Sequence, residues 1–136
     1  ILSGLVGSEM CIRDRCVLRP KVPGLSENIS VRSTVGRFLE HSRIFYFKNA
    51  GKEDVWLSSA DWMDRNFFRR VELAFPVLDK ALKRRVIQEG LMVHLRDNAL
   101  SWVMQKDGHY VIRRTLGPAR RAAQEVLLPA QSPPAG

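Results

Sequence analysis

The stretch Arg43–Ser58, RIFYFKNAGKEDVWLS, constrains the fold of this chain more than any other. Arg43–Lys48 is rich in aromatic and β-branched side chains, which suit a pleated surface. Its apolar centre does not alternate with polar residues, a pattern that predicts a strand buried on both faces. Asn49-Ala50-Gly51-Lys52 supplies turn chemistry, and Asp54–Ser58 (DVWLS) resumes the strand pattern. The two runs are therefore expected to pair back on each other as a hairpin.

The rest of the chain alternates strand and helix signals. Cys16–Arg19 reads as a short buried strand end. Pro20–Gly24 reads as a turn, with the prolines fixing φ and Gly24 free to take a positive φ. Ser33 is a suitable N-cap for a short helix carrying Val35, Phe38 and Leu39 and ending near His41. Val71–Val77 predicts a third strand, which Pro76 restricts to a sheet edge or strand end. Asp79 caps a helix reaching about Gln88, with Leu82, Val86 and Ile87 inward and Gly90 as its stop. Leu91–Met104 reads as helical, and Asp107-Gly108 turns into an edge strand over His109–Arg113. Residues 131–136, QSPPAG, form a loose tail. Trp56, Trp62 and Trp102 are expected as core anchors. Such alternation predicts an α/β protein with a mixed sheet.

Composition narrows the function. The 136 residues are 45% apolar and 26% charged, which suits one globular domain and excludes a disordered or fibrous chain. No uncharged apolar run approaches the roughly 18 residues that a helical membrane span needs. Cys11 and Cys16 are too few for a disulfide scaffold, and no metal-ligand spacing suggests structural zinc. The net charge of +8 favours an anionic partner, whether nucleic acid, nucleotide, polyphosphate or an acidic membrane, without choosing among them. Residues 16–51 hold six basic and two acidic side chains together with the first histidine, His41.

Three constellations carry chemistry. His41-Ser42-Arg43 enters the first hairpin strand, and Leu57-Ser58-Ser59-Ala60-Asp61 ends the second. The phospholipase D superfamily places His-x-Lys and a Ser-rich segment ending in Asn at such positions. There a histidine acts on a phosphoryl group, a cation two residues on shares its face, and small hydroxyls hydrogen-bond the imidazole or the phosphate. Here Arg43 stands for the lysine and Asp61 for the asparagine. The plainer alternative makes His41 a helix C-cap. Asp61–Glu72 interleaves Arg65, Arg69, Arg70 and Asn66 with aromatics, either as a phosphate-binding loop or as a structural loop with Arg69 or Arg70 paired to Glu72 or an aspartate. Lys83-Arg84-Arg85 reads as a solvated helix face. His94 and His109 receive no role.

The words Cys16–Pro20, Val22–Ile29 (VPGLSENI), Gly36–Arg43 (GRFLEHSR) and Leu57–Asp61 through Glu72 resemble the polyphosphate kinase family, in its last catalytic domain. The similarity runs to about Arg113 and takes in Leu95–Asn98 (LRDN) and Asp107–Val111 (DGHYV). It implies a phospholipase-D-like α/β fold, a mixed sheet flanked by helices, as a partial domain over 16–128. Residues 129–136 are then a flexible tail and residues 1–15 a non-native leader. The implied activity is reversible transfer of the terminal phosphoryl group of ATP to inorganic polyphosphate, through a phosphohistidine in an upstream domain. This fragment alone is expected to be inactive. The histidine of the family's F-L-E-H word falls on His41, which implies nucleotide contact and acid or base action near the transferred phosphate. Anchoring the family's V-R-G-I-C-C-L-R-P word on Cys16–Pro20 puts its nucleotide-binding arginine at Arg13. Asp14 and Arg15 depart from the glycine and isoleucine that follow in that word. Arg43 is a candidate phosphate contact. ATP/ADP and Mg²⁺ are implied, with the Mg²⁺ ligands upstream and no metal site in this stretch. The implied partners are ATP and polyphosphate, not nucleic acid. The intact enzyme is expected to be a cytoplasmic homo-oligomer, with membrane association left open. Two other readings stay open, a phospholipase-D-like phosphodiesterase half-domain and a non-catalytic polyanion-binding module.

Overall fold

The computed structural model describes residues 18–113 and 119–131, with backbone alone for 129–131. Two three-stranded antiparallel sheets carry the fold. One takes strands β2 (Ile44–Asn49), β3 (Lys52–Ser58) and β4 (Ala74–Pro76) in that order. The other takes β1 (Arg32–Thr34), β5 (Ser101–Met104) and β6 (Tyr110–Ile112), also in that order. The α/β class holds, but these pairings differ from the single mixed sheet expected, since every strand pair among the described residues is antiparallel.

The hairpin forms in the expected register, with Asn49 opposite Lys52 and Ile44 opposite Leu57. Its two-residue loop puts Ala50 at φ 46° and Gly51 at φ 93°. Positive φ at both positions matches the right-handed twist of the flanking strands. The predicted double-sided burial of β2 does not occur. Ile44, Phe45 and Tyr46 are half-buried and Phe47 onward is exposed, so the strand is covered only in part, and only over its first half. The anchor is instead Val55 on β3, 1% exposed. Pro76 closes β4 at the sheet edge, as its missing N–H requires.

Three local expectations are corrected. Residues 33–41 form no helix; Arg32–Thr34 pairs with Ser101–Val103, and residues 35–43 run as an irregular segment. A short apolar run fits strand or helix alike, and here the long-range partner decides. The Asp79-capped helix also does not stop at Gly90. Asp79 Oδ1 accepts the N–H groups of Ala81 and Leu82, as an N-cap should. Helix α2 (Lys80–Arg85) then continues without a break through a π-helical stretch, Val86–Met92, into α3 (Val93–Leu95). Gly90 lies inside this rod, where a Cβ would collide with the Ile44 side chain, so it serves close packing of rod on β2. Third, Leu91–Met104 is helical only as far as Leu95 and ends as strand β5.

Between β3 and β4 the expected loop contains a short helix, α1 (Asp64–Arg69). Trp62 is 67% exposed there, stacked on Phe45 with centroids 5.8 Å apart, and Trp56 is also exposed; neither is the core anchor expected. An unforeseen helix, α4 (Ala123–Gln131), reaches into the stretch expected as tail. Asp97 fixes its start: fully buried, it accepts from Ala123 N–H at 2.7 Å with one oxygen and from Ala99 and Leu100 with the other. Of the remaining sequence readings, Cys11, Arg13 and Cys16 lie outside the described residues, while Leu18 and Arg19 are not in a strand.

Candidate functional site

An open cleft of about 750 Å³ lies between the irregular segment 38–43, the first residues of β2, the helical rod and α4. A drug-sized ligand site typically has this volume. Its apolar lining includes Leu39, Ile44, Leu57, Leu82 and Val86; its polar lining includes His41, Arg43, Ser58, Arg85 and Glu89.

His41 stands exposed at the cleft mouth. Because no helix precedes it, the C-cap reading loses its basis. Arg43 holds this corner. Its Nη1 donates to the His41 carbonyl at 2.8 Å, and its Nη2 lies 3.3 Å from His41 Nδ1. Its Nε donates to Asp61 Oδ1 at 2.8 Å, and Nη2 lies 2.7 Å from the same oxygen. The two departures from the phospholipase D pattern, Arg43 and Asp61, are therefore one ion pair across β2 and the end of β3. A guanidinium touching Nδ1 must find a lone pair there, so in the neutral ring the proton sits on Nε2. Arg43 thus orients the ring while it is itself paired with a carboxylate.

The serines do not turn to the imidazole. Ser58 N–H donates to the Arg43 carbonyl at 3.0 Å, which sets the two side by side, but Ser58 Oγ accepts from Ala60 N–H at 3.1 Å. Ser59 Oγ donates to Glu72 Oε2 at 2.5 Å, and Asn66 Nδ2 to Glu72 Oε1 at 2.8 Å. These bonds hold the Glu72 carboxyl below its ordinary range, with Arg70, 3.4 Å away, adding a smaller pull. The arginine–aromatic constellation thus resolves into the structural alternative, with Arg70 on Glu72. Of the basic run on the helix, Arg85 stays exposed to solvent at the cleft wall, where it makes two bonds to Glu89, at 3.0 and 3.1 Å. That pairing lowers the Glu89 pKa.

Sequence reasoning missed one set of residues here. His94, given no role, is 5% exposed, and its Nε2 lies 3.1 Å from Glu40 Oε2, one residue before His41. A helix read through Gly90 would have carried His94 onto the rod's packed side. Among the described residues, no group of three or more His, Cys, Asp or Glu side chains could hold a metal ion. None of the described helices is long and apolar enough to cross a membrane.

Comparison with known proteins places this geometry in a family. Residues 5–124 match the family model described as polyphosphate kinase C-terminal domain 2, a match that begins inside the stretch expected to be a foreign leader. The chain is 63% identical over 120 residues to the polyphosphate kinase of Paraburkholderia phytofirmans, covering 88% of this chain and 17% of that protein. The polyphosphate kinase of Burkholderia cenocepacia matches with the same identity and coverage. Among solved structures, the polyphosphate kinase from Porphyromonas gingivalis superposes with a TM-score of 0.77 at 40% identity, over 83% of this chain and 17% of that one. The chain thus spans 17% of the length of these relatives. With so much of its length matched to one domain, the chain belongs to the polyphosphate kinase family and corresponds to its C-terminal domain 2.

Proposed function

We propose that this chain supplies one wall of the catalytic site of a polyphosphate kinase, which moves the terminal phosphoryl group of ATP reversibly onto inorganic polyphosphate. The phosphohistidine of that reaction, and the ligands of its Mg²⁺, belong in this reading to a domain outside this chain. No described residue cluster suits the metal, so no step here runs through it.

The observation that carries the reading is His41 at the mouth of the cleft with its Nδ1 side held by Arg43. Held this way, the ring offers Nε2–H to an oxygen of a bound nucleotide or of the moving phosphoryl group, and it can take that proton back in the reverse direction. Arg43 keeps the ring's orientation and brings positive charge to the mouth, while Asp61 fixes the guanidinium. Phosphoryl transfer depends chiefly on positioning and on neutralising charge, and these are the services this corner offers. Arg13, outside the described residues, is proposed as a further nucleotide contact.

In an intact polyphosphate kinase carrying this domain, His41→Ala should lower turnover by about 10²-fold or more, the usual size of a lost acid–base group. Circular dichroism should show the parent fold. His109, exposed and 3.4 Å from Asp107 in a turn outside the cleft, is the control, and His109→Ala should leave turnover unchanged. Near-native turnover of a folded His41→Ala enzyme would reduce the domain to a polyanion-binding module.

A further inference from the structure

The segment carrying His41 has no regular secondary structure, yet it is tied down along the cleft wall by Glu40, His94 and Gln124. Gln124, 7% exposed near the start of α4, grips it with both ends of its carboxamide. Phe38 N–H donates to Gln124 Oε1 at 3.0 Å, and Gln124 Nε2 donates to the Phe38 carbonyl at 2.7 Å. The same Nε2 donates to Glu40 Oε1 at 2.8 Å. The other Glu40 oxygen meets His94 Nε2 at 3.1 Å, and the His94 side chain is 4% exposed. Gly36 lets the carboxamide close on the chain, since a Cβ there would collide with it. Asp97 in turn fixes the start of α4 and so the origin of Gln124. Buried polar groups joined in this way specify one geometry, because each left without its partner bears the full cost of desolvation.

We propose that Gln124, Glu40 and His94 form a buried clamp that positions His41, and that all three are positioning residues of the transfer site. The proposal rests on the reading of His41 given above. Glu40 precedes His41 directly, so holding its carboxylate between the rod and α4 fixes the backbone from which the imidazole projects. Arg43 acts on the far side through the His41 carbonyl. The Glu40 carboxylate has only acceptors, so the bond from His94 requires the proton on its Nε2. His94 Nδ1 is buried without a hydrogen-bond partner, so the polar tie of this ring is made through Nε2, to Glu40.

The test is a double-mutant cycle in an intact polyphosphate kinase carrying this domain. His94→Leu removes the donor, and turnover should fall by about 10-fold or more, since small misplacements of a reacting group cost rates of this order. His94→Gln keeps an N–H near the position of Nε2 and should recover turnover to within about 3-fold of the parent, given that a restored donor satisfies Glu40 again. In a His41→Ala background, His94→Leu should cost less than about 2-fold, because there is no ring left to misplace. Equal losses in the two backgrounds, or no recovery with glutamine, overturn the clamp while leaving the role of His41 standing. Near-native turnover of His41→Ala alone overturns that underlying role instead. If His94→Leu does not fold, Gly36→Ala, which displaces the Gln124 carboxamide without altering it, takes its place in the same cycle.

Discussion

Arg43 shows how much a single side chain decides at this site. Its guanidinium meets Asp61 and both the carbonyl and the ring of His41 at once, a task that needs several donors in a planar fork. A lysine has a compact ammonium on a flexible stem and cannot span those partners together. Arg43→Lys in the intact enzyme should therefore lower kcat by about 10-fold while the charge at the mouth is unchanged, an effect of lost positioning. Full activity with lysine would mean that charge alone matters there. The sequence made His41 and Arg43 legible because they are two residues apart in a motif whose chemistry is local. It could not reveal that Asp61 would close on Arg43, because the motif leads one to expect an asparagine. Nor could it reveal Gln124, which lies 86 residues from Phe38 and 84 from Glu40. Such contacts exist only after the chain has folded back on itself.

At the scale of elements, two junctions make separable predictions. Where β3 passes through α1 into β4, the Glu72 carboxylate gathers Ser59, Asn66 and Arg70. Its folded-state pKa lies below the ordinary 4.5, so the carboxylate is favoured by folding. The stabilisation is fully present above pH 4.5 and is lost as pH falls from there through the lowered value. Denaturant midpoints measured across that interval should fall less steeply for Glu72→Gln than for the parent; parallel curves would remove Glu72 from the account. In the rod, Gly90 is helical rather than a left-handed stop. Alanine there gains about 1 kcal/mol in helix propensity and spends a similar amount turning the end of Ile44 aside. Gly90→Ala should therefore stay within about 1 kcal/mol of the parent in urea unfolding, whereas a glycine that truly ended the helix would show a clear loss. The hairpin and the Asp79 cap were legible because their signals lie within a few residues of one another. The β1–β5 pairing and the π-helical stretch were not, since a partner some seventy residues away outweighed local periodicity in one case and packing against β2 outweighed a glycine signal in the other.

For the whole molecule, the net charge of +8 says that polyanions are attracted but not where they land. The structure divides the cations. Arg43, Arg70, Arg85 and Arg120 are each held by a carboxylate, and two of these arginines, Arg43 and Arg85, line the cleft. On the proposed function, polyphosphate entering the cleft would compete with Glu89 for Arg85, whose forked contact favours the charged form of both partners. Glu89→Gln weakens that competition and adds one unit of net positive charge. Glu125→Gln does the same for Arg120, just before α4, and neither of these two side chains lines the cleft. Both variants raise the general field equally, so they separate a diffuse attraction from a located one. Polyphosphate binding should weaken with rising salt for all three proteins, because exposed charge is screened over about 10 Å at 0.1 M. At low salt, Glu89→Gln should bind several-fold more tightly than the parent, on the order of the 1 kcal/mol that a freed charge-assisted contact adds. Glu125→Gln should gain less than half as much. Titration of labelled polyphosphate against the three proteins at two salt concentrations reads the difference directly. Equal gains would mean that the chain attracts polyanions over its whole surface, and the cleft would lose its claim to be where the phosphate chain binds.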